Sequence, residues 1–432
     1  MLGQVTDLIL LEASPKPGAI SRDFVDWLAE SGFKLWQILP VNPVGAGDSP
    51  YFSPCVFAGE TRYIDREELP DDSGFKAFCK DNSYWLPDWT SFVLDTNYNG
   101  YLDGKEESSR EELESEIMHD QYLFFSQLKK LREYANSKGI LLIGDLPIYA
   151  APNSADLKAH PECFQLDSDG HLLNVGGVPP DYFSETGQYW SNPLYNWDNM
   201  KNDNYEWWYQ RLRLALQYFD YIRLDHFRSF SEYFAIPEGH MPKDGTWQPG
   251  PGMHFFDCMK KRLKNQDLPI FAEDLGLLDN GVFNLLKLSG IPGMNVWQFN
   301  EAEMRAMDDE KIKTRIFYSG THDNQTLAGW CENVLPEADS SESASPEAGS
   351  SENVSDADAQ NPSFSEVSPK ACEKARQIID ELMNSNAPWV IFQLQDILLL
   401  GDSARLNIPG TVNGNWIWHC NKLLPKADYS RD

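Results

Sequence analysis

Tyr221-Ile222-Arg223-Leu224-Asp225 is an apolar, strand-like run that delivers one carboxylate at its end, and the chain repeats this arrangement twice. Ile270-Phe271-Ala272-Glu273 ends in a second acid, and Ile316-Phe317-Tyr318-Ser319-Gly320-Thr321-His322-Asp323 in a third. If the three strands are parallel neighbours in one barrel, their ends share a rim and the acids converge on one cleft. Such a layout suits an enzyme that cuts glycosidic bonds with paired carboxylates.

Working outward, further apolar runs of strand length fall at 8–11, 35–39, 140–144, 294–299 and 389–394, which with the three acid-bearing runs make eight. Helical patterns lie between several of them, at 22–31, 111–137, 205–218, 252–264 and 370–385. Strands alternating with helices predict an α/β fold with a parallel sheet, and eight near-continuous apolar strands predict a (β/α)8 barrel filling residues 1–432 as one catalytic domain. Residues 50–138 and 146–205 are too long for simple connections, so they are expected as inserted subdomains over the rim that holds the site. Residues 336–369 are Ser, Glu, Asp and Ala with Pro and no basic residue until Lys370, a composition that predicts a disordered loop inside the barrel sequence.

Composition narrows the partners. The formal charge of −30 argues against nucleic acid and anionic lipid, both of which such a surface repels, and leaves a neutral substrate as the better fit. Fourteen tryptophans suit the flat apolar faces of sugar rings, although a large aromatic core would also account for them. Seven cysteines without metal-type spacing read as a reducing, cytoplasmic chain. No signal-peptide pattern and no run of membrane-spanning length is present in the sequence, so no membrane partner is expected.

Arg223 and Asp225 are two apart on a strand and therefore share a face, the barrel interior, where a guanidinium holds a carboxylate ionised as a nucleophile must be. Alone, Arg-x-Asp is more often a structural ion pair at a strand end. Glu273 follows an apolar approach that raises its pKa, which a neighbouring anionic Asp225 raises further, leaving a proton for a leaving oxygen. Helix capping is the plainer role for Glu273 or Asp274. Thr321-His322-Asp323-Asn324 sets polar groups on a rim loop, where His322 and Asp323 can bind sugar hydroxyls; the same residues also make an ordinary turn. Gly45-Ala46-Gly47-Asp48-Ser49-Pro50-Tyr51 lacks the Lys of a phosphate loop and the third Gly of a dinucleotide site, so Tyr51 is expected to stack on a sugar and Asp48 to bind hydroxyls. The polar, aromatic stretch from Gly177 to Trp190 is a second candidate lining loop or a structural Ω-loop.

Together these residues resemble the amylomaltase or 4-α-glucanotransferase family, the disproportionating branch of the α-amylase clan. The resemblance is carried by Leu39-Pro40 through Gly47-Asp48-Ser49-Pro50-Tyr51, Gly144-Asp145-Leu146-Pro147-Ile148-Tyr149, Val178-Pro179-Pro180-Asp181-Tyr182-Phe183, Arg223-Leu224-Asp225-His226-Phe227-Arg228, Ala272-Glu273-Asp274-Leu275-Gly276, Pro292-Gly293-Met294, Gly320-Thr321-His322-Asp323-Asn324 and Arg405-Leu406-Asn407-Ile408-Pro409-Gly410-Thr411. They stand in family order along nearly the whole chain. The resemblance implies a (β/α)8 barrel that transfers α-1,4-glucan segments between maltooligosaccharides by a retaining double displacement. In it Asp225 is the nucleophile, Glu273 the acid/base and Asp323 the transition-state stabiliser. Substrate contacts are expected from Asp48, Ser49, Tyr51, Asp145, Arg223, His226, His322 and Asn324, with Glu185 and Trp190 on a loop over the acceptor side. No cofactor or metal is implied. The alternatives are an α-1,4-glucan hydrolase of the same chemistry and a non-catalytic glucan-binding protein. Short stretches at 14–21 and 299–316 and the acidic insert depart from the family pattern and bear on donor length and acceptor preference.

Overall fold

The computed structural model describes residues 2–6, 17–180, 186–276, 278–334, 367–411 and 413–420. Among the described residues twelve strands run in chain order: β1 Leu2–Thr6, β2 Leu35–Ile38, β3 Leu141–Leu146, β4 Asn174–Val178, β5 Gln188–Pro193, β6 Tyr221–Leu224, β7 Glu232–Pro237, β8 Thr246–Pro249, β9 Ile270–Ala272, β10 Gly293–Val296, β11 Arg315–Tyr318 and β12 Trp389–Gln393. Eight form one parallel sheet in the order β10-β11-β12-β1-β2-β3-β6-β9. Its two ends meet: the Ala272 N–H donates to the Pro292 carbonyl at 2.8 Å, next to the first residue of β10. The architecture is a (β/α)8 barrel.

Side-chain parity explains why these short runs are strands. In β2, Leu35 joins Ile143, Phe271, Met294, Ile316, Tyr318 and Ile391 in the interior cluster, while Trp36 and Ile38 join Leu142, Ile222, Leu224, Ile270, Phe317 and Phe392 in the layer under the helices. Apolar side chains on both faces are what a parallel barrel requires of its strands. The same alternation turns Arg223 and Asp225 inward from β6, and Glu273 inward beyond β9.

The acid-bearing strands lie where their sequence places them, and two other expectations need adjusting. The run at 8–11 lies outside the described residues; the strand paired with both β12 and β2 is Leu2–Thr6, whose register sets Gly3 opposite Ile391 and Leu35. The apolar run at 294–299 stops being a strand at Val296, because Trp297–Ala306 is helical. Among the helices, Arg110–Ser137 is fixed at its start by a capping box in which Ser109 and Glu112 satisfy each other's backbone donors. Its buried stripe includes Leu113, Ile117, Phe124 and Leu128.

A second sheet, antiparallel in the order β5-β4-β7-β8, stands beside the rim. It takes β4 and β5 from residues 146–205 but β7 and β8 from the chain after β6. No helix among the described residues is long and apolar enough to cross a membrane.

Candidate active site

The site is built outward from Arg223. Its strand neighbour in register across the β3–β6 pair is Asp145, and this pairing produces a buried ion pair, with Nη1 at 2.7 and 2.8 Å from the two carboxylate oxygens. The same nitrogen reaches Asp225 at 3.2 Å. Tyr51, delivered by the loop after β2, donates its hydroxyl to Asp145 at 2.7 Å and stacks on His322, with ring centroids 4.8 Å apart. A chain Tyr51–Asp145–Arg223–Asp225 therefore crosses the barrel mouth from the second strand to the fourth in the barrel's chain order.

Glu273 stands at the end of the neighbouring strand. Its two oxygens accept the backbone N–H groups of His226 at 2.8 Å and Leu275 at 3.0 Å. Burial, opposed by Arg223 and reinforced by Asp225 and Asp274, pushes its carboxyl up to about 8. Burial also pushes Asp225 upward, and there Arg223 and His322 favour the anion. The charge of Asp225 contributes to the lift of Glu273, which at about 8 retains its proton at neutral pH.

Asp323 has the opposite character. Against the effect of burial, the His322 imidazole at 3.4 Å and the Asn407 amide, donating at 2.6 Å, hold it well below the usual carboxylate range. His322 is correspondingly raised, Asp323 outweighing the cost of burial. His226 goes the other way, down to about 4, through burial and the cation of Arg228, so its ring is neutral. Its backbone is in the left-handed region, φ 45°, the conformation that aims its N–H at Glu273.

The remaining expected residues divide into three groups. Trp190, on β5, packs its indole edge to face against His226 at 4.9 Å and is half-buried. Ser49 accepts the Tyr51 N–H at 3.3 Å and so shapes the turn that presents Tyr51, while Asp48 is exposed at φ 55° on the outer side of that turn. Asn324 is buried, and its side-chain oxygen accepts from both the N–H and hydroxyl of Thr321, which fixes the rim loop. Glu185 and the acidic insert at 336–366 lie outside the described residues.

Three further residues gather at the site. Arg405 donates to the Asp323 carbonyl at 2.6 Å, Asn407 holds the Asp323 carboxylate, and Trp416 packs near both Tyr51 and His322, at 6.0 and 5.6 Å between ring centroids. Arg405 and Asn407 belong to a stretch legible as a motif, but nothing in the sequence tied it to the loop after β11. Trp416 carries no local signal at all.

Three carboxyls of different proton affinity around a buried guanidinium, on the C-terminal rim of a parallel β/α barrel, define an enzyme of glycosidic-bond chemistry. Comparison with known proteins narrows this further. The family description matching residues 18–73 and 66–424 is 4-alpha-glucanotransferase. A 4-alpha-glucanotransferase of Streptococcus pneumoniae is 33% identical over 497 aligned positions, covering 97% of this chain and 94% of that protein. One from Aquifex aeolicus is 32% identical, covering 94% and 91%, and the chloroplastic/amyloplastic enzyme of Arabidopsis thaliana is 34% identical, covering 95% and 80%. Among solved structures, an amylomaltase from Streptococcus agalactiae in complex with acarbose superposes with a TM-score of 0.79 at 28% identity, covering 97% and 94%. The amylomaltase of Corynebacterium glutamicum shares the fold, with a TM-score of 0.76 at 18% identity, covering 96% and 70%. The chain belongs to the 4-α-glucanotransferase family and is a transglycosidase. The S. pneumoniae alignment is longer than this 432-residue chain, so that relative carries stretches this chain lacks.

Proposed function

We propose that the chain moves α-1,4-glucan segments from a donor to an acceptor maltooligosaccharide by a retaining double displacement, with Asp225 as nucleophile, Glu273 as acid/base and Asp323 as stabiliser of the oxocarbenium-like state. Glu273 gives its proton to the bridging oxygen as the C1–O bond breaks and a carboxylate oxygen of Asp225 bonds to C1. The 4-hydroxyl of a second glucan then bonds to C1, its proton passes to Glu273, and Asp225 leaves as the carboxylate. Asp48, Ser49, Tyr51, Asp145, Trp190, Arg223, His226, His322 and Asn324 serve to bind and orient the sugar, directly or through the turns they shape.

The observation that carries this assignment is the lifting of Glu273 to about 8 beside Asp225. Because the Asp225 charge contributes to that lift, its conversion to an ester removes one reason for Glu273 to keep a proton. The same carboxyl then serves as acid in the first step and as base in the second. The free thiols of Cys55, Cys79, Cys163, Cys258, Cys331 and Cys372 suit a reducing cytoplasm, where soluble maltooligosaccharides would be the substrates.

Chromatography of the products from pure maltotriose tests the reading. Glucose accompanied by oligomers longer than maltotriose is the expected result; only shorter products would establish hydrolysis instead.

A further inference from the structure

Asp274 follows Glu273 directly, and by strand parity it faces the opposite way, into the layer between barrel and helices. It is 3% exposed. One of its oxygens accepts the Met294 N–H at 2.7 Å and the other the Arg315 guanidinium at 2.6 Å. Arg315 in turn donates to the Asn295 side chain and the Met294 carbonyl. These contacts fall at one particular place. The hydrogen-bonded ladder runs from β10 round to β9, and between β9 and β10 the barrel is joined by the Ala272–Pro292 bond and then by the Asp274 side chain.

Gly293 belongs to the same arrangement. A Cβ on it would lie 2.1 Å from the Arg315 Nη1 and 2.6 and 2.7 Å from the two Asp274 oxygens, so the ion pair rests directly on a backbone that has no side chain. Glu273, meanwhile, is tied to the other side: its N–H donates to Leu224, its carbonyl accepts from Phe227, and its carboxyl accepts from His226. The dipeptide Glu273-Asp274 therefore spans the seam, one residue anchored to β6 and the next to β10 and β11.

Resting on the roles given above to Glu273 and Asp225, we propose that Asp274 is a positioning residue for proton donation: its carboxylate, clamped by Arg315 over Gly293, replaces a ladder hydrogen bond between β9 and β10 and so fixes the carboxyl of Glu273 beside Asp225. The charged and titratable groups around Glu273 are Arg223 from β6 and Asp225 just beyond it, Asp145 from β3, His322 and Asp323 from the loop after β11, the neutral His226, and the Asp274–Arg315 pair behind it. Of these, Asp274 is an anion that does not face the substrate, and it raises the Glu273 carboxyl from the rear.

The test compares a donor whose leaving group needs a proton with one whose leaving group does not. Asp274→Asn and Gly293→Ala are assayed on maltotriose and on α-maltosyl fluoride, whose initial fluoride burst reports C1–F cleavage without acid assistance. Expected for both variants is a loss of ~10- to 100-fold in kcat on maltotriose with KM changed by less than about 3-fold, and a nearly parental fluoride burst. In Asp274→Asn the alkaline limb of the maltotriose pH profile also moves to lower pH. Equal losses on the two donors, or parental turnover of maltotriose, would overturn the proposal. Should Asp274→Asn fail to fold by circular dichroism, Gly293→Ala and Arg315→Lys, which leave the Asp274 carboxylate in place, carry the comparison. Glu273→Gln is the separate control: if it keeps maltotriose turnover, the acid/base assignment fails, whatever the Asp274 variants do.

Discussion

Asn407 donates a 2.6 Å hydrogen bond to the Oδ1 of Asp323, linking the chain after β12 to the rim loop after β11. The Asn407 N–H also reaches the His322 carbonyl at 3.2 Å, so one residue fixes both members of the His-Asp pair. A hydrogen bond to a charged group contributes about 1.5–3 kcal/mol. Asn407→Ala should therefore lower kcat/KM for maltotriose disproportionation by roughly 10- to 100-fold. A change of under 2-fold would mean that Asp323 keeps its position without this partner.

The Glu273 carboxyl, lifted to about 8 mainly by burial, sets the alkaline limit of the reaction. Transfer should fall as pH rises through about 8, because the proton needed by the leaving oxygen is lost. Stability follows the same direction. A carboxyl whose pKa is higher folded than unfolded contributes stability that is fully present below its unfolded value, about 4.3, and is lost as pH rises through the folded value. Above pH 8 this amounts to a penalty of about 5 kcal/mol, which Glu273→Gln removes. Denaturant unfolding at pH 5 and pH 9 should show the variant gaining on the parent far more at the higher pH.

Asp225→Asn should abolish turnover, with a loss on the order of 10⁴-fold or more, and leave glucan binding largely intact. Isothermal titration with a maltooligosaccharide alongside the activity assay separates the two effects. Retained activity would remove Asp225 from the nucleophile role.

Deleting residues 338–365 should leave folding and transfer nearly unchanged. The helices that flank the acidic segment, Leu327–Val334 and Pro369–Met383, pack together, and the Glu332 carboxylate accepts the Ser368 N–H at 2.9 Å. Both ends of the segment are thus held side by side by ordered structure. A large drop in melting temperature or in maltotriose turnover would contradict this.

The sequence was most informative where one residue had to satisfy a strand and a reaction at once. Tyr221-Ile222-Arg223-Leu224-Asp225 could be read both as a barrel strand and as a source of paired charges, because parity puts Arg223 and Asp225 on one face. The register that joins Arg223 to Asp145 was not legible, since pairing between strands separated by 78 positions leaves no local trace. Asn407 and Trp416 escaped for the same reason: their effect on Asp323 and Tyr51 arises from the path of the chain after β12. The sheet β5-β4-β7-β8 likewise joins segments from either side of β6, which periodicity alone does not connect. In sequence Asp274 looks like a candidate helix cap, because its partners Met294 and Arg315 lie on strands that sequence spacing cannot bring to it.

A barrel has no free strand edge only while every neighbouring pair holds. Between β9 and β10 that continuity depends partly on a carboxylate and a guanidinium, so this is the line along which the ring parts most readily on warming. Opening there would separate Glu273 from its surroundings before the helices melt, and it would bare two unpaired edges rich in apolar side chains. Heat inactivation should therefore run ahead of the loss of helical circular dichroism, and the inactivated enzyme should associate with itself instead of recovering on cooling.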